Sequence, residues 1–238
     1  MIRVKDLYKG FDDQPVLKGI NLEIPDGETL VILGESGSGK SVLLRLLVGI
    51  LKPDRGVIEI DGVNISRLSE RELLTVRRNM GYLFQEGALY DFMTVFENVA
   101  FPLVEHTPLR EDEIAGKVKA MLKDVGLEQA LYKYPSQLSG GMKKRVALAR
   151  SVILNSRFLL CDEPTSGLDP IKSRDITELI RTMARQIRCT TIVTSHDMPN
   201  AFRLADRLVL IRQGEIVTEG TPDMLRSSSD RFVREFLE

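Results

Sequence analysis

ETLVIL from Glu28 to Leu33, followed by GESGSGKS from Gly34 to Ser41, is the stretch that decides the fold. An apolar, β-branched run precedes the loop, and a helical pattern from Gly39 to Leu51 follows it, with Val42, Leu43, Leu46, Leu47 and Ile50 on one face. The loop has the form G-x-x-x-x-G-K-[ST], in which main-chain N–H groups curl around phosphate oxygens. Gly34, Gly37 and Gly39 are glycine because a Cβ would obstruct the turn or the approach of phosphate. Glu35, Ser36 and Ser38 complete the cradle, Lys40 is expected to reach the β- and γ-phosphates, and the Ser41 hydroxyl to ligate Mg²⁺. The implied ligands are ATP and Mg²⁺.

Outward from this loop, short apolar runs alternate with helical patterns, which indicates an α/β chain with a largely parallel central sheet. Ile2 to Leu7, Val16 to Ile24, Thr29 to Leu33 and Val57 to Ile60 read as strands of an antiparallel β layer at the N-terminal end. From Gln85 to Ser156 strand signals give way to helical ones, with capping-box spacing at Thr94 and Glu97, as at Ser69 and Glu72 earlier. This segment reads as a helical subdomain inserted into the core. The expected division is 1–84 with 157–220 as α/β core and β layer, 85–156 as helical subdomain, and 221–238 as a tail of one or two short helices. Leu208 to Arg212 and Glu215 to Thr218 flank Gln213-Gly214 as a hairpin.

Four further places carry chemistry. Phe158 to Glu163 is an apolar run ending in two carboxylates; Asp162 suits the Mg²⁺ shell, directly or through water, and Glu163 suits the base that polarises the attacking water. A bend at Pro164 would let both act at one site. Gln85 follows the strand Gly81 to Phe84, where a neutral amide can touch Mg²⁺ or the lytic water; alone, it reads equally as a surface glutamine. His196 ends the strand Thr190 to Ser195 and has two readings, a donor to the γ-phosphate or a satisfied surface or core residue. Ser139-Gly140-Gly141 opens a helix running to about Leu154, with Val146, Ala149, Val152 and Ile153 as its apolar face; hydroxyl, amides and helix dipole together suit a γ-phosphate. Lys143, Lys144 and Arg145 form its charged face, adding positive potential or standing solvated.

Composition bounds the partners. A chain of 238 residues with 43% hydrophobic content buries a real core, and a net charge of −1 gives no basic field that would draw it to nucleic acid. It contains no run of 18 apolar residues, and MIRVKDLYKG lacks the apolar core of a signal peptide. Cys161 and Cys189 adjoin apolar runs and read as buried reduced thiols, as in a cytosolic protein.

With these motifs in place, the chain resembles the nucleotide-binding subunit of an ABC transporter over nearly its whole length. Gly34 to Ser41 match the Walker A loop, Gln85 the Q-loop, Leu138 to Met142 the signature, and Phe158 to Glu163 Walker B with its catalytic glutamate. Ser166 to Asp169 match the D-loop and His196 the switch histidine; Phe11 falls where the family stacks an aromatic ring on adenine, with Tyr8 a nearby competitor. The resemblance implies an antiparallel dimer of two copies that sandwiches two ATP molecules, Ser139, Gly140 and Gly141 meeting the ATP of the other copy, with Asp169 also near nucleotide. It implies integral membrane permease subunits as partners and a peripheral place on the cytoplasmic face of the inner membrane. Met142 departs from the family, which usually has glutamine there.

FQEGALYDFMTVFENVAFPL from Phe84 to Leu103, with LSGGMKKRVALAR, is similar to ATPases of Mla/Mce-type lipid transport systems. That narrower resemblance implies phospholipid cargo, an Mce-type lipid-binding subunit and a small regulatory subunit. Leu89, Tyr90, Phe92 and Met93 would receive a permease helix, or pack the subdomain. Other cargo (an amino acid, a peptide or a lipoprotein) and a soluble non-transport ABC ATPase are the competing readings.

Overall fold

The computed structural model describes residues 1–12, 14–229 and 233–234. The chain begins with β1 (Ile2–Phe11), β2 (Gln14–Ile24), β3 (Thr29–Leu33), α1 (Lys40–Leu47), β4 (Arg55–Ile60), β5 (Val63–Asn64) and α2 (Glu70–Arg77). It continues through β6 (Met80–Leu83), α3 (Val95–His106), α4 (Glu111–Asp124), α5 (Gly140–Val152), β7 (Phe158–Asp162) and α6 (Pro170–Ile187). It then passes through β8 (Thr190–Ser195), α7 (Met198–Leu204), β9 (Arg207–Arg212), β10 (Glu215–Gly220) and α8 (Pro222–Arg226). Two compact units result: Met1–Arg77 with Thr190–Glu238, and Arg78–Cys189.

In the first unit, β2, β1, β4 and β5 form an antiparallel sheet in that order. Thr29 to Leu33, expected in this layer, belongs elsewhere. β3 runs parallel to both β8 and β9, with Leu30 opposite Ile192 and Arg207. The reason is burial on both faces: Leu30, Val31, Ile32 and Leu33 are all inaccessible, and a doubly covered strand reads as an unbroken apolar run rather than an alternating one. β9 and β10 form the expected hairpin, turned by Gln213 and Gly214 with φ of 50° and 85°, the left-handed pair that a two-residue turn requires. α1 ends earlier than its apolar stripe suggested. Gly49 adopts φ 71° and terminates it, so Ile50 lies outside the helix and is exposed.

In the second unit β6 and β7 pair in parallel, Met80 to Leu83 opposite Phe158 to Cys161. Between them, among the described residues, the chain is helical or irregular. Val95, Val99 and Leu103 of α3 share a core with Ile114, Val118 and Leu122 of α4 and with Val146 and Ala149 of α5. The Thr94 hydroxyl accepts the Glu97 N–H while the Glu97 carboxylate accepts the Thr94 N–H, the reciprocal cap expected from the sequence. α6 starts on Asp169 as cap with Pro170 in the first turn, and closes on Arg188 at φ 54°.

The result is the α/β fold expected, with an antiparallel β layer and a helical stretch between core strands. Cys161 and Cys189 are buried thiols not joined in a disulfide, and burial pushes the Cys161 thiol up, away from reactivity. In the tail, α8 supplies one short helix and Val233 and Arg234 are helical, while 230–232 and 235–238 lie outside the described residues.

Candidate nucleotide-binding and hydrolytic site

In the first unit the phosphate loop leaves the end of β3 and enters α1. Lys40 is almost wholly buried, yet its ammonium donates to the carbonyls of Gly34 (2.8 Å) and Glu35 (3.0 Å) and so points into the loop. A Cβ on Gly34 would stand 2.4 Å from the Ile211 carbonyl oxygen and 2.6 Å from Ser38 Oγ, so only glycine fits. Gly37 and Gly39 have φ of 81° and 104°. Ser38 Oγ is buried with no hydrogen-bond partner among the described residues, a donor and acceptor left over inside the cradle. These are features of a loop built to hold a polyanion.

His196 lies beside that loop. Leu33 is paired with Ser195, so Gly34 and His196 are the next residues out of two adjacent parallel strands, at the carboxyl edge where open α/β sheets bind ligands. The imidazole is exposed, and the Ser195 hydroxyl accepts the Asp197 N–H at 2.9 Å to fix the turn that carries it. Phe11 ends β1 with 44% of its surface exposed and the Lys9 ammonium 5.3 Å from its ring centre. Tyr8, 38% exposed, has Arg55 over its ring at 5.2 Å.

In the second unit, Asp162 is buried at the end of β7 and accepts from the Tyr82 hydroxyl at 3.4 Å. The chain turns at Glu163 itself, which has φ 41°; the bend expected at Pro164 falls one residue earlier. A non-glycine residue in the left-handed region is strained, and here it breaks strand alternation directly after Asp162. Gln85, two residues beyond β6, donates to Ser166 Oγ at 3.3 Å. That contact joins the Gln85 segment to the turn after β7. Asp169 caps α6, accepting the Lys172 N–H at 3.0 Å, and the same lysine's ammonium holds its carboxyl below the usual range.

Ser139 caps α5, its hydroxyl accepting the Met142 N–H at 3.4 Å. Ser139 and Gly140 are exposed, and the two glycines lie beside Leu168 and Lys172. Met142 packs on the helical core, which accounts for an apolar residue at this position.

Lys144 belongs to the charged face that the sequence reads as adding positive potential or standing solvated. It is instead 7% exposed, its ammonium donating to the Gln85 carbonyl. Burial draws its pKa down, opposed by the carboxylates of Glu86, Glu163 and Asp162. Asn98, not among the residues singled out in the sequence, is fully buried; its amide bonds the main chain at Tyr90, Met93 and Thr94 and shapes the loop that follows Gln85. A polar residue inside the apolar stripe of α3 was the available signal for it.

A sequence model of the ABC transporter family matches residues 17–166. The chain belongs to that family. This ABC ATPase is 42% identical over 236 residues to the probable ribonucleotide transport ATP-binding protein mkl of Mycobacterium leprae, covering 99% of this chain and 68% of that protein. It is also 42% identical over 238 residues to the intermembrane phospholipid transport system ATP-binding protein MlaF of Haemophilus influenzae, covering 100% of this chain and 90% of that one. Among solved structures, the dimeric post-hydrolysis state of the ATP-binding cassette MJ0796 bound to ADP and Pi superimposes with a TM-score of 0.86 at 32% identity, over 93% of this chain and 99% of that one. Membership makes this chain a nucleotide-binding ATPase of the transporter type, homologous to MlaF. Among the described residues no helix is long and apolar enough to cross a membrane.

Proposed function

We propose that this ABC ATPase is the motor of a lipid transporter: it binds Mg-ATP, closes on a second copy of itself, and drives a membrane permease that moves phospholipid across a cell envelope. The observation that carries the cargo is the likeness to MlaF, which runs through this entire chain and nine tenths of MlaF. The exposed aromatic group of Tyr90 and Phe92, ring centres 5.7 Å apart with Phe92 75% exposed, supports a docking place for permease helices.

The residues fit the nucleotide and its metal. Gly34 to Ser41 hold the phosphates, with Lys40 on the β- and γ-phosphates; Phe11 stacks on adenine. Mg²⁺ takes oxygen ligands, commonly one or two carboxylates with substrate phosphates, and the groups proposed for it are one carboxylate, Asp162, with the Ser41 hydroxyl and the Gln85 amide oxygen. When bound, Mg²⁺ would withdraw charge from the phosphates held by these residues. Glu163 orients and deprotonates the attacking water, and His196 donates to the γ-phosphate. Ser139, Gly140 and Gly141 engage the ATP of the other copy, with Asp169 near that junction. Residues 1–84 with 157–220 act as core, 85–156 as the moving helical subdomain, and 221–238 as a tail. The assembly sits on the cytoplasmic face of the inner membrane, with an Mce-type lipid-binding subunit and a small regulatory subunit as further partners.

The test is purification of the tagged chain from native membranes with its partners, followed by analysis of bound small molecules. A multi-pass permease, an Mce-type subunit and phospholipid are expected. A conventional soluble binding protein with an amino acid or peptide, or a bound ribonucleotide such as the name of the mycobacterial relative suggests, would overturn the cargo and leave the motor.

A further inference from the structure

The segment after β6 is held from one side by a single face of α5. Lys144, Ala147 and Arg150 follow one another at a spacing of three, which places them on one helical stripe. Lys144 donates to the carbonyl of Gln85, and Arg150 donates to the carbonyl of Gly87 at 2.8 Å. Between them Ala147 fills the space beside Gly87, where an added Cβ would come within 3.2 Å of the alanine methyl. Gly87 and Ala88 have φ of 79° and 48°, a left-handed pair that bends the segment back toward α5. The Arg150 guanidinium also lies over the Tyr90 ring at 5.6 Å.

Long cationic side chains are seldom buried unless they have partners. Both cations here are desolvated, and both direct donors at main-chain oxygens that side-chain substitution in the loop cannot remove. Lys144 has a second set of neighbours: Glu86, Glu163 and Asp162 all act on its charge. It therefore bonds the Gln85 main chain and lies within electrostatic reach of the carboxylates at the end of β7.

We propose that Lys144 is a positioning residue for hydrolysis: from α5 it tethers the Gln85 carbonyl, with Arg150 as second anchor at Gly87, and so fixes where the Gln85 side chain stands relative to Asp162 and Glu163. This rests on the hydrolytic roles proposed above for Gln85, Asp162 and Glu163. It also places the Gln85 segment under the control of the helix whose N-terminus is the serine-glycine turn. A shift of α5 would pull both carbonyls with it, and the amide would follow.

The test uses the full chain with two readouts. In nucleotide-free protein, Lys144→Met should speed amide hydrogen exchange at residues 86–89 at least on the order of tenfold, because the tether is lost. In steady state it should lower kcat on the order of tenfold while leaving the KM for ATP within about twofold, the pattern of an interaction that serves the chemical step and not ground-state binding. Lys144→Arg, which keeps charge and donors, should recover most of both. Should Lys144→Met fail to fold, Lys144→Ala, which also removes both charge and donors, is read in the same way. Unchanged exchange would overturn the tether. Faster exchange with unchanged kcat would reduce Lys144 to a structural prop and overturn the positioning role. Glu163→Gln run alongside separates the two ideas: wild-type turnover in that variant would remove the proposed hydrolytic site, while the exchange readout would still report the tether.

Discussion

Replacing Asn98 by alanine should destabilise the second unit by an amount that follows from its hydrogen bonds. The Asn98 carbonyl oxygen accepts the Tyr90 N–H at 2.9 Å, and its amide nitrogen faces the carbonyls of Tyr90, Met93 and Thr94 at 3.0–3.1 Å. Two of those carbonyls keep other donors after truncation: Tyr90 from the Met93 N–H at 3.1 Å, and Thr94 from the Asn98 N–H at 2.9 Å. The Tyr90 N–H and the Met93 carbonyl lose the bonds that Asn98 supplies. An orphaned polar group loses about 1–3 kcal/mol, and the exposed surface at Tyr90 admits some water, so a total of about 2–4 kcal/mol is expected. For a chain of this size that lowers Tm by about 5–15 °C. Urea unfolding with an unchanged slope, followed by circular dichroism, measures it. Asn98→Asp is the sharper variant. It keeps the acceptor for Tyr90 but turns a carboxylate toward three carbonyls, so near neutral pH it should be no more stable than Asn98→Ala. An aspartate variant as stable as the native chain would refute the reasoning.

Three further outcomes are expected. Gly34→Ala drives a Cβ into the Ile211 carbonyl and displaces the loop, and it should lower kcat/KM for ATP on the order of 10²-fold; unaltered nucleotide binding would contradict it. Met142→Gln should leave hydrolysis within several-fold, since Met142 packs on the helical core and the Ser139 cap is made with its main chain; a hundredfold change in turnover would contradict that. Glu97 has its carboxyl held below the usual range by the N–H and hydroxyl of Thr94. Its stabilisation is therefore complete above the unfolded value near about 4.3 and is lost as pH falls through the lower folded value. The stability gap between the native chain and Glu97→Gln, read by urea melts, should be present at pH 7 and closed once both states are protonated.

Much of this was legible in the sequence because it depends on neighbours along the chain. The phosphate loop, the Thr94–Glu97 cap, the Gln213-Gly214 turn and the carboxylates after Cys161 are each set within a few residues. What escaped depends on partners far away. The run Thr29 to Leu33 does not declare whether its neighbours are antiparallel or parallel; its pairing with β8 and β9, with Leu30 to Leu33 fully buried, decides that. Lys144 sits in a run of three cations that reads as a charged face, either adding positive potential or solvated, and only the return of the chain at Gly87 and Ala88 brings a carbonyl to it. The turn stands at Glu163, one residue before the proline that signals a bend in the sequence, because a left-handed glutamate carries no such signal. Asn98 had a signal, a polar residue in an apolar stripe, but not the identity of its partners.

The most direct measurement of the central claim, that this chain hydrolyses ATP with Glu163 as base, is steady-state turnover of Glu163→Gln beside equilibrium binding of ATP. The expected result is a fall in turnover on the order of 10²–10⁴ with ATP binding preserved, because the amide cannot take the proton while the phosphate loop is untouched. Turnover close to that of the native chain would contradict the assignment.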